Sequence, residues 1–142
     1  MTLEQPTPAA MTRAQLRREL EAYLIQLGYS TVRARGDGDL LPEIVRVSPI
    51  RGRIAYGETV LHSDLCEPRC HERLLRFSQR RTRHRSTILF FIGVAEADLD
   101  GIGTLLQQLE IRSSVRGGHV HVVPIATPEE ARRRIPRAGN AD

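Results

Sequence analysis

The sequence contains no lysine, so all 21 of its basic residues are arginines. A guanidinium group stays charged at every working pH, so it can stabilise an anion but cannot act as a base. Any mechanism that needs a side-chain amine to activate water is therefore excluded. The net charge of +4 and a pI near 9.8 are compatible with an acidic polymer as partner.

Tryptophan is absent, and only three tyrosines and three phenylalanines occur, which disfavours a base-stacking platform for single strands. No apolar run approaches the roughly 20 residues that span a bilayer. Residues 1–10 lack the basic start and the apolar middle of a signal peptide. These absences predict a cytoplasmic protein without a membrane segment.

Cysteine is scarce: Cys66 and Cys70 are the only two, and His71 follows them. Two thiols and one imidazole lack a convincing fourth metal ligand. On a helical wheel Cys66, Cys70, Leu74 and Phe77 form one stripe, which favours the thiols as small core residues. A metal site at this place is the alternative.

Periodicity and capping signals predict a single domain over residues 12–135, with a disordered leader (1–11) and tail (136–142). Helices are expected over residues 12–27, 67–80, 96–109 and 128–135. Strands are expected over residues 29–35, 42–47, 54–60, 86–94 and 119–125, the last parallel to the apolar, doubly covered strand 86–94.

The stretch 42–60 predicts a β-hairpin whose register follows from its apolar pattern. A two-residue loop places Val47 opposite Ile54 and Val45 opposite Tyr56. Glu43 then faces Glu58 on the same face of the sheet. Two such carboxylates repel each other unless a cation or a shared proton lies between them, so the pair is a candidate site.

The element order helix, three strands, helix, strand, with Pro42-Glu43 and then Glu58-Thr59-Val60, resembles the PD-(D/E)XK nuclease superfamily. The resemblance implies an α/β, restriction-endonuclease-like αβββαβ core, a mixed sheet flanked by helices, with an added αβ unit. It also implies catalytic carboxylates at Glu43 and Glu58, which would hold Mg²⁺ or Mn²⁺ if the pair is functional.

The sequence departs from that pattern at Val60, which stands at the position of the motif lysine and has no proton to exchange. Arg69 or Arg73 on the second helix could approach the carboxylates, but either would neutralise them instead of activating water. Glu19 or Glu21 could add a carboxylate from the first helix. The alternative for Glu43 and Glu58 is a pair of solvated acids at strand ends.

Two further features are candidates for binding. Alternating His119 and His121 on the last strand could form a metal pair or be ordinary, partly buried histidines. An arginine stripe on the second helix could bind phosphates of duplex DNA or RNA, or be a solvated face. The stripe comprises Arg69, Arg73, Arg76 and Arg80, and Arg81, Arg83, His84 and Arg85 continue it.

The sequence therefore predicts a catalytically degenerate nuclease-like domain that serves as a nucleic-acid-binding or assembly module. One alternative is an active, divalent-metal-dependent nuclease with a rearranged site. The other is a protein-interaction module that binds no nucleic acid.

Overall fold

The computed structural model describes residues 11–32, 41–50, 52–80, 88–127 and 130–131. Within them a mixed sheet carries helices on both faces. The helices are α1 (Arg13–Gln26), α2 (Pro68–Ser78) and α3 (Leu99–Gln108). The strands are β1 (Thr31–Val32), β2 (Ile44–Val47), β3 (Ile54–Val60), β4 (Leu89–Ala95) and β5 (Val120–Ile125). Short 3₁₀ turns precede α2 and α3.

The five strands lie in the order β1-β2-β3-β4-β5. The first three form an antiparallel meander, whereas β4 pairs parallel with β3, and β5 parallel with β4. The predicted α/β class, the mixed sheet and the parallel last strand are therefore confirmed.

Helix α1 begins and ends where its sequence signals indicate. Thr12 forms a capping box with Gln15, in which each side chain accepts a hydrogen bond from the other residue's backbone N–H. Leu16, Leu20 and Leu24 recur on one face and are buried. Gly28 then adopts a φ of 101°, a conformation that favours glycine and stops the helix.

Side chains alternate along the strands into two apolar clusters, one on each face of the sheet. The first cluster lies against α2 and α3, and Val60, Phe77 and Ile92 are among its buried members. The second lies against α1 and includes Leu20, Phe91 and Ile125. Strand β4 contributes to both clusters, as its uninterrupted apolar sequence predicts.

Two glycines let α1 pack directly onto the sheet. A Cβ at Gly57 would lie 3.3 Å from Leu20 of α1, and one at Gly93 would lie 3.2 Å from the same side chain. This close approach fixes the first turns of α1 beside the end of β3. The arginines of those turns consequently reach the candidate site.

Two sequence predictions are corrected. Met11 is buried in the second cluster, so the disordered leader cannot extend through residue 11. Cys66 is exposed, because it lies in the 3₁₀ turn His62–Cys66 and the helical wheel does not apply there. Cys70 packs against the first cluster beside Leu74 and Phe77, as predicted.

Several predictions fall outside the described residues. These are the rest of the leader, the tail, strand residues 33–35, most of the helix 128–135, and Arg81, Arg83, His84 and Arg85.

Candidate functional site

The predicted hairpin register brings Glu43 and Glu58 together. Val45 pairs with Tyr56 and Val47 with Ile54, as expected from the apolar pattern. Glu58 lies within β3, and Glu43 immediately precedes β2. The backbone N–H of Glu43 donates to Oε1 of Glu58 over 2.8 Å.

The predicted common orientation of the two carboxylates is wrong. The Thr59 hydroxyl lies 2.9 and 2.8 Å from the two carboxylate oxygens of Glu43. Successive strand residues point to opposite faces, so Thr59 faces away from Glu58 and toward α1. Because Glu43 lies before β2, strand alternation does not fix its side chain, which turns to the Thr59 hydroxyl.

Glu58 forms a buried ion pair with Arg73 of α2. The Arg73 Nη2 donates to Oε1 over 2.7 Å and Nε donates to Oε2 over 3.2 Å, so both carboxylate oxygens are engaged. The side chains are only 6% and 15% exposed. Arg73 also donates to the Leu41 carbonyl, and its guanidinium lies 5.0 Å from the Phe77 ring centroid.

The proton equilibrium of Glu58 reflects opposing effects. Burial raises its pKa, the hydrogen bond from Arg73 lowers it, and the nearby charge of Glu43 raises it again. The net shift is upward from the ordinary value of 4.5, so burial outweighs the guanidinium.

Arg13, in the first turn of α1, contacts both the Glu43 carboxylate and that of Asp64. It donates to the Thr59 carbonyl over 3.0 Å and lies 3.4 Å from Glu43 and 2.5 Å from Asp64. Burial opposes its charge, but the pKa of Arg13 is raised by Asp64, Glu43 and Glu58. Sequence reasoning missed Arg13, Thr59 and Asp64, because nothing in their local patterns indicates these long-range partners.

These groups line a pocket of about 930 Å³, named here the charged pocket. Its arginines and carboxylates are equal in number. The arginines are Arg13, Arg17, Arg46, Arg69 and Arg73, and the acids are Glu21, Glu43, Glu58, Asp64 and Glu67. Glu21 is part of this lining, whereas Glu19 is exposed on α1 outside it.

Val60 is directed to the same face as Glu58, as alternation predicts, but it does not line the charged pocket. It is 1% exposed and lies within the first apolar cluster. A lysine at this position would have to bury its amine among aliphatic side chains.

The donor set at Glu43 and Glu58 does not fit a divalent cation. The oxygens of Glu58 accept from Arg73, and those of Glu43 are bonded by Thr59. In the part of the chain that the structure describes, no three His, Cys, Asp or Glu residues are grouped to hold a metal. Burial, together with the charges of Asp64 and Glu58, raises the pKa of Cys70 to about 12, which keeps its thiol protonated.

His119 and His121 take separate partners. The ring of His119 contacts the Ser78 carbonyl, whereas that of His121 stacks on Phe91 with centroids 5.0 Å apart. Burial and the neighbouring His119 lower the pKa of His121. Both side chains are partly buried, which agrees with the alternative of ordinary histidines.

Two arginines of the arginine stripe contact buried side chains, and two are exposed. Arg73 is turned to Glu58, and Arg80 lies 5.3 Å from the Phe77 ring centroid. Arg69 and Arg76 are exposed on the surface of α2, and Arg69 lines the charged pocket. Arg81 lies outside the described residues.

Comparison of the chain with protein-family models, curated proteins and solved structures gives no match. None of the helices in the described ranges is long and apolar enough to cross a membrane. The function must therefore be argued from the geometry of the charged pocket and its surroundings.

Proposed function

We propose that the chain is a catalytically inactive, restriction-endonuclease-like domain that serves as a nucleic-acid-binding or assembly module. The order of helices and strands and the positions of Glu43 and Glu58 at adjoining strands support the kinship with nucleases. The missing lysine and the partners of the two carboxylates support the loss of catalysis.

The ion pair between Glu58 and Arg73 is the observation that carries the proposal. In a metal-dependent nuclease, paired carboxylates hold a cation that stabilises the phosphate transition state. Here a fixed guanidinium takes both oxygens of Glu58. Such a group can neutralise the carboxylate, but it supplies neither a bound water nor a base.

Nucleic-acid binding is supported by exposed arginines on the two helices that contribute residues to the charged pocket. Arg17 and Arg18 on α1 and Arg69 and Arg76 on α2 are exposed. Arginine forks match phosphate oxygens, and each neutralised phosphate releases counterions. Binding of this kind depends on the backbone and does not read the base sequence.

The first prediction concerns the salt dependence of duplex binding. Replacing Arg69 and Arg76 by glutamine should weaken binding and reduce the slope of log K against log salt concentration by roughly one unit per lost phosphate contact. The measurement is fluorescence anisotropy of a labelled duplex at several salt concentrations.

A double variant of Arg112 and Arg116 is the matched control, since both are exposed and lie outside the charged pocket. It should retain the wild-type slope. Equal slopes for wild type and the Arg69/Arg76 variant would remove the arginine stripe from the proposed interface.

A protein-binding function is the second candidate, because a larger groove of about 1110 Å³ lies between α3 and β5. Val115 at this groove is 94% exposed, and Leu99 is 42% exposed. Absent or salt-insensitive binding of nucleic acid to the wild-type chain would favour this candidate over the first.

A further inference from the structure

Arg46 is a buried cation that the carboxylate network leaves out. It lies in β2 between Val32 and Ala55 of the adjoining strands, and it is 9% exposed. Its Nη1 donates to the Ser30 carbonyl over 3.2 Å. Its Nε is buried and, within the described residues, has no hydrogen-bond partner.

Two other arginines that line the charged pocket, Arg13 and Arg73, have acidic partners. Arg13 is paired with Asp64 and Glu43, and Arg73 with Glu58. Arg46 shows no ion pair with any carboxylate of the described ranges. Burying a charge without a counterion is costly, so Arg46 is a candidate to bind an anion.

Arg17 is a second arginine of the charged pocket that contacts the segment of β2. It lines the same pocket, it is half exposed, and its Nη2 donates to the Glu43 carbonyl over 3.1 Å. This bond holds the Arg17 guanidinium beside the start of β2, the strand that carries Arg46. Arg46 shares its sheet face with Ile44 of the second cluster, which is the face that α1 covers.

We propose that Arg46 and Arg17 form a binding site for a phosphate group. This inference rests on the proposed function: the phosphate is one of the backbone phosphates of the bound nucleic acid. A guanidinium presents five N–H donors, of which Arg46 uses one on Ser30, and its fork matches two phosphate oxygens. Glu21, 4.0 Å from Arg17, is the carboxylate that an entering phosphate displaces.

The experiment compares Arg46→Met with wild type, because methionine keeps an unbranched side chain and removes the charge. Binding of a labelled duplex and of inorganic pyrophosphate is measured at low salt. Each affinity should fall about ten-fold on loss of one charged contact. In wild-type NMR spectra, the Nε–H resonance of Arg46 should shift on addition of pyrophosphate.

Unfolding by urea separates a binding role from a structural one. Arg46→Met should be at least as stable as wild type without ligand, because it removes an uncompensated buried charge. Arg53→Met, at an exposed arginine outside the charged pocket, is the control and should change neither affinity nor stability. A destabilised Arg46→Met with unchanged affinities would show a structural role and overturn the site.

The outcomes also distinguish this site from the proposed function. Duplex binding that Arg46→Met leaves intact overturns the phosphate site alone. Pyrophosphate binding that depends on Arg46, without any duplex binding, supports the site and overturns the proposed function. Wild type that binds neither ligand overturns both.

Discussion

At the scale of single residues, the Glu58 carboxylate has a buried guanidinium as its partner. The pKa of Glu58 is raised because burial disfavours the ionised carboxylate more than the hydrogen bond from Arg73 favours it. Removing only one partner, however, leaves an uncompensated buried charge.

The difference between losing one partner and losing both predicts the effects of substitutions at Arg73 and Glu58. Arg73→Met should lower the free energy of unfolding by about 3 kcal/mol at neutral pH, because Glu58 remains buried without its cation. The double variant Arg73→Met with Glu58→Gln should recover most of that loss. Urea unfolding of the wild type, both single variants and the double variant measures the coupling.

Lowering the pH tests whether the ionised Glu58 causes the destabilisation of Arg73→Met. A carboxyl group whose pKa is raised in the folded chain binds its proton more tightly there than in the unfolded chain, so protonation stabilises the fold. Loss of the Arg73 hydrogen bond raises the pKa of Glu58 further, so the deficit of Arg73→Met should shrink as pH falls from neutral toward the raised pKa of Glu58 in wild type. A deficit that stays constant over this range would contradict the assignment to an ionised Glu58.

At the scale of elements, the first turn of α1 determines which groups meet the carboxylates. The Thr12 capping box fixes this turn, and the next residue, Arg13, bonds Thr59 and Asp64. The end of β3 is thereby tied to the start of α1. The residue that caps the helix therefore immediately precedes the residue that contacts the site.

Thr12→Ala should consequently destabilise the protein by about 1 kcal/mol, the usual effect of losing a capping side chain. Thr12→Ser retains the hydroxyl and is the matched control. Thermal or urea unfolding of the two variants tests the expectation. Equal losses in both variants would show that the threonine methyl, and not the cap, stabilises the helix.

Much of this element structure follows from the sequence. Apolar periodicity predicts α1 and α3, and the match of Val45 and Val47 to Tyr56 and Ile54 predicts the hairpin register. These predictions are correct because each depends on several residues that together form one buried face. The site is less predictable, because the orientation of Glu43 and the burial of Arg46 depend on single side chains and distant partners.

At the scale of the whole molecule, the sheet separates two apolar clusters, and the charged pocket forms where helices from both faces reach the end of β3. Arg13 comes from α1 on one face, and Arg73 comes from α2 on the other. Each guanidinium reaches a carboxylate beside β3 that the nuclease resemblance would assign to a metal. The fold thus brings fixed cations from both faces of the sheet to the carboxylates at this end of β3.

Nicking of supercoiled plasmid DNA in Mg²⁺ and Mn²⁺ tests this central claim most directly, with wild type compared against Glu58→Gln. Because Arg73 holds both oxygens of Glu58 and Val60 is buried, we predict no divalent-dependent nicking by wild type above the level of Glu58→Gln. Nicking by wild type that requires the metal and that Glu58→Gln abolishes would contradict the account and establish the chain as an active nuclease.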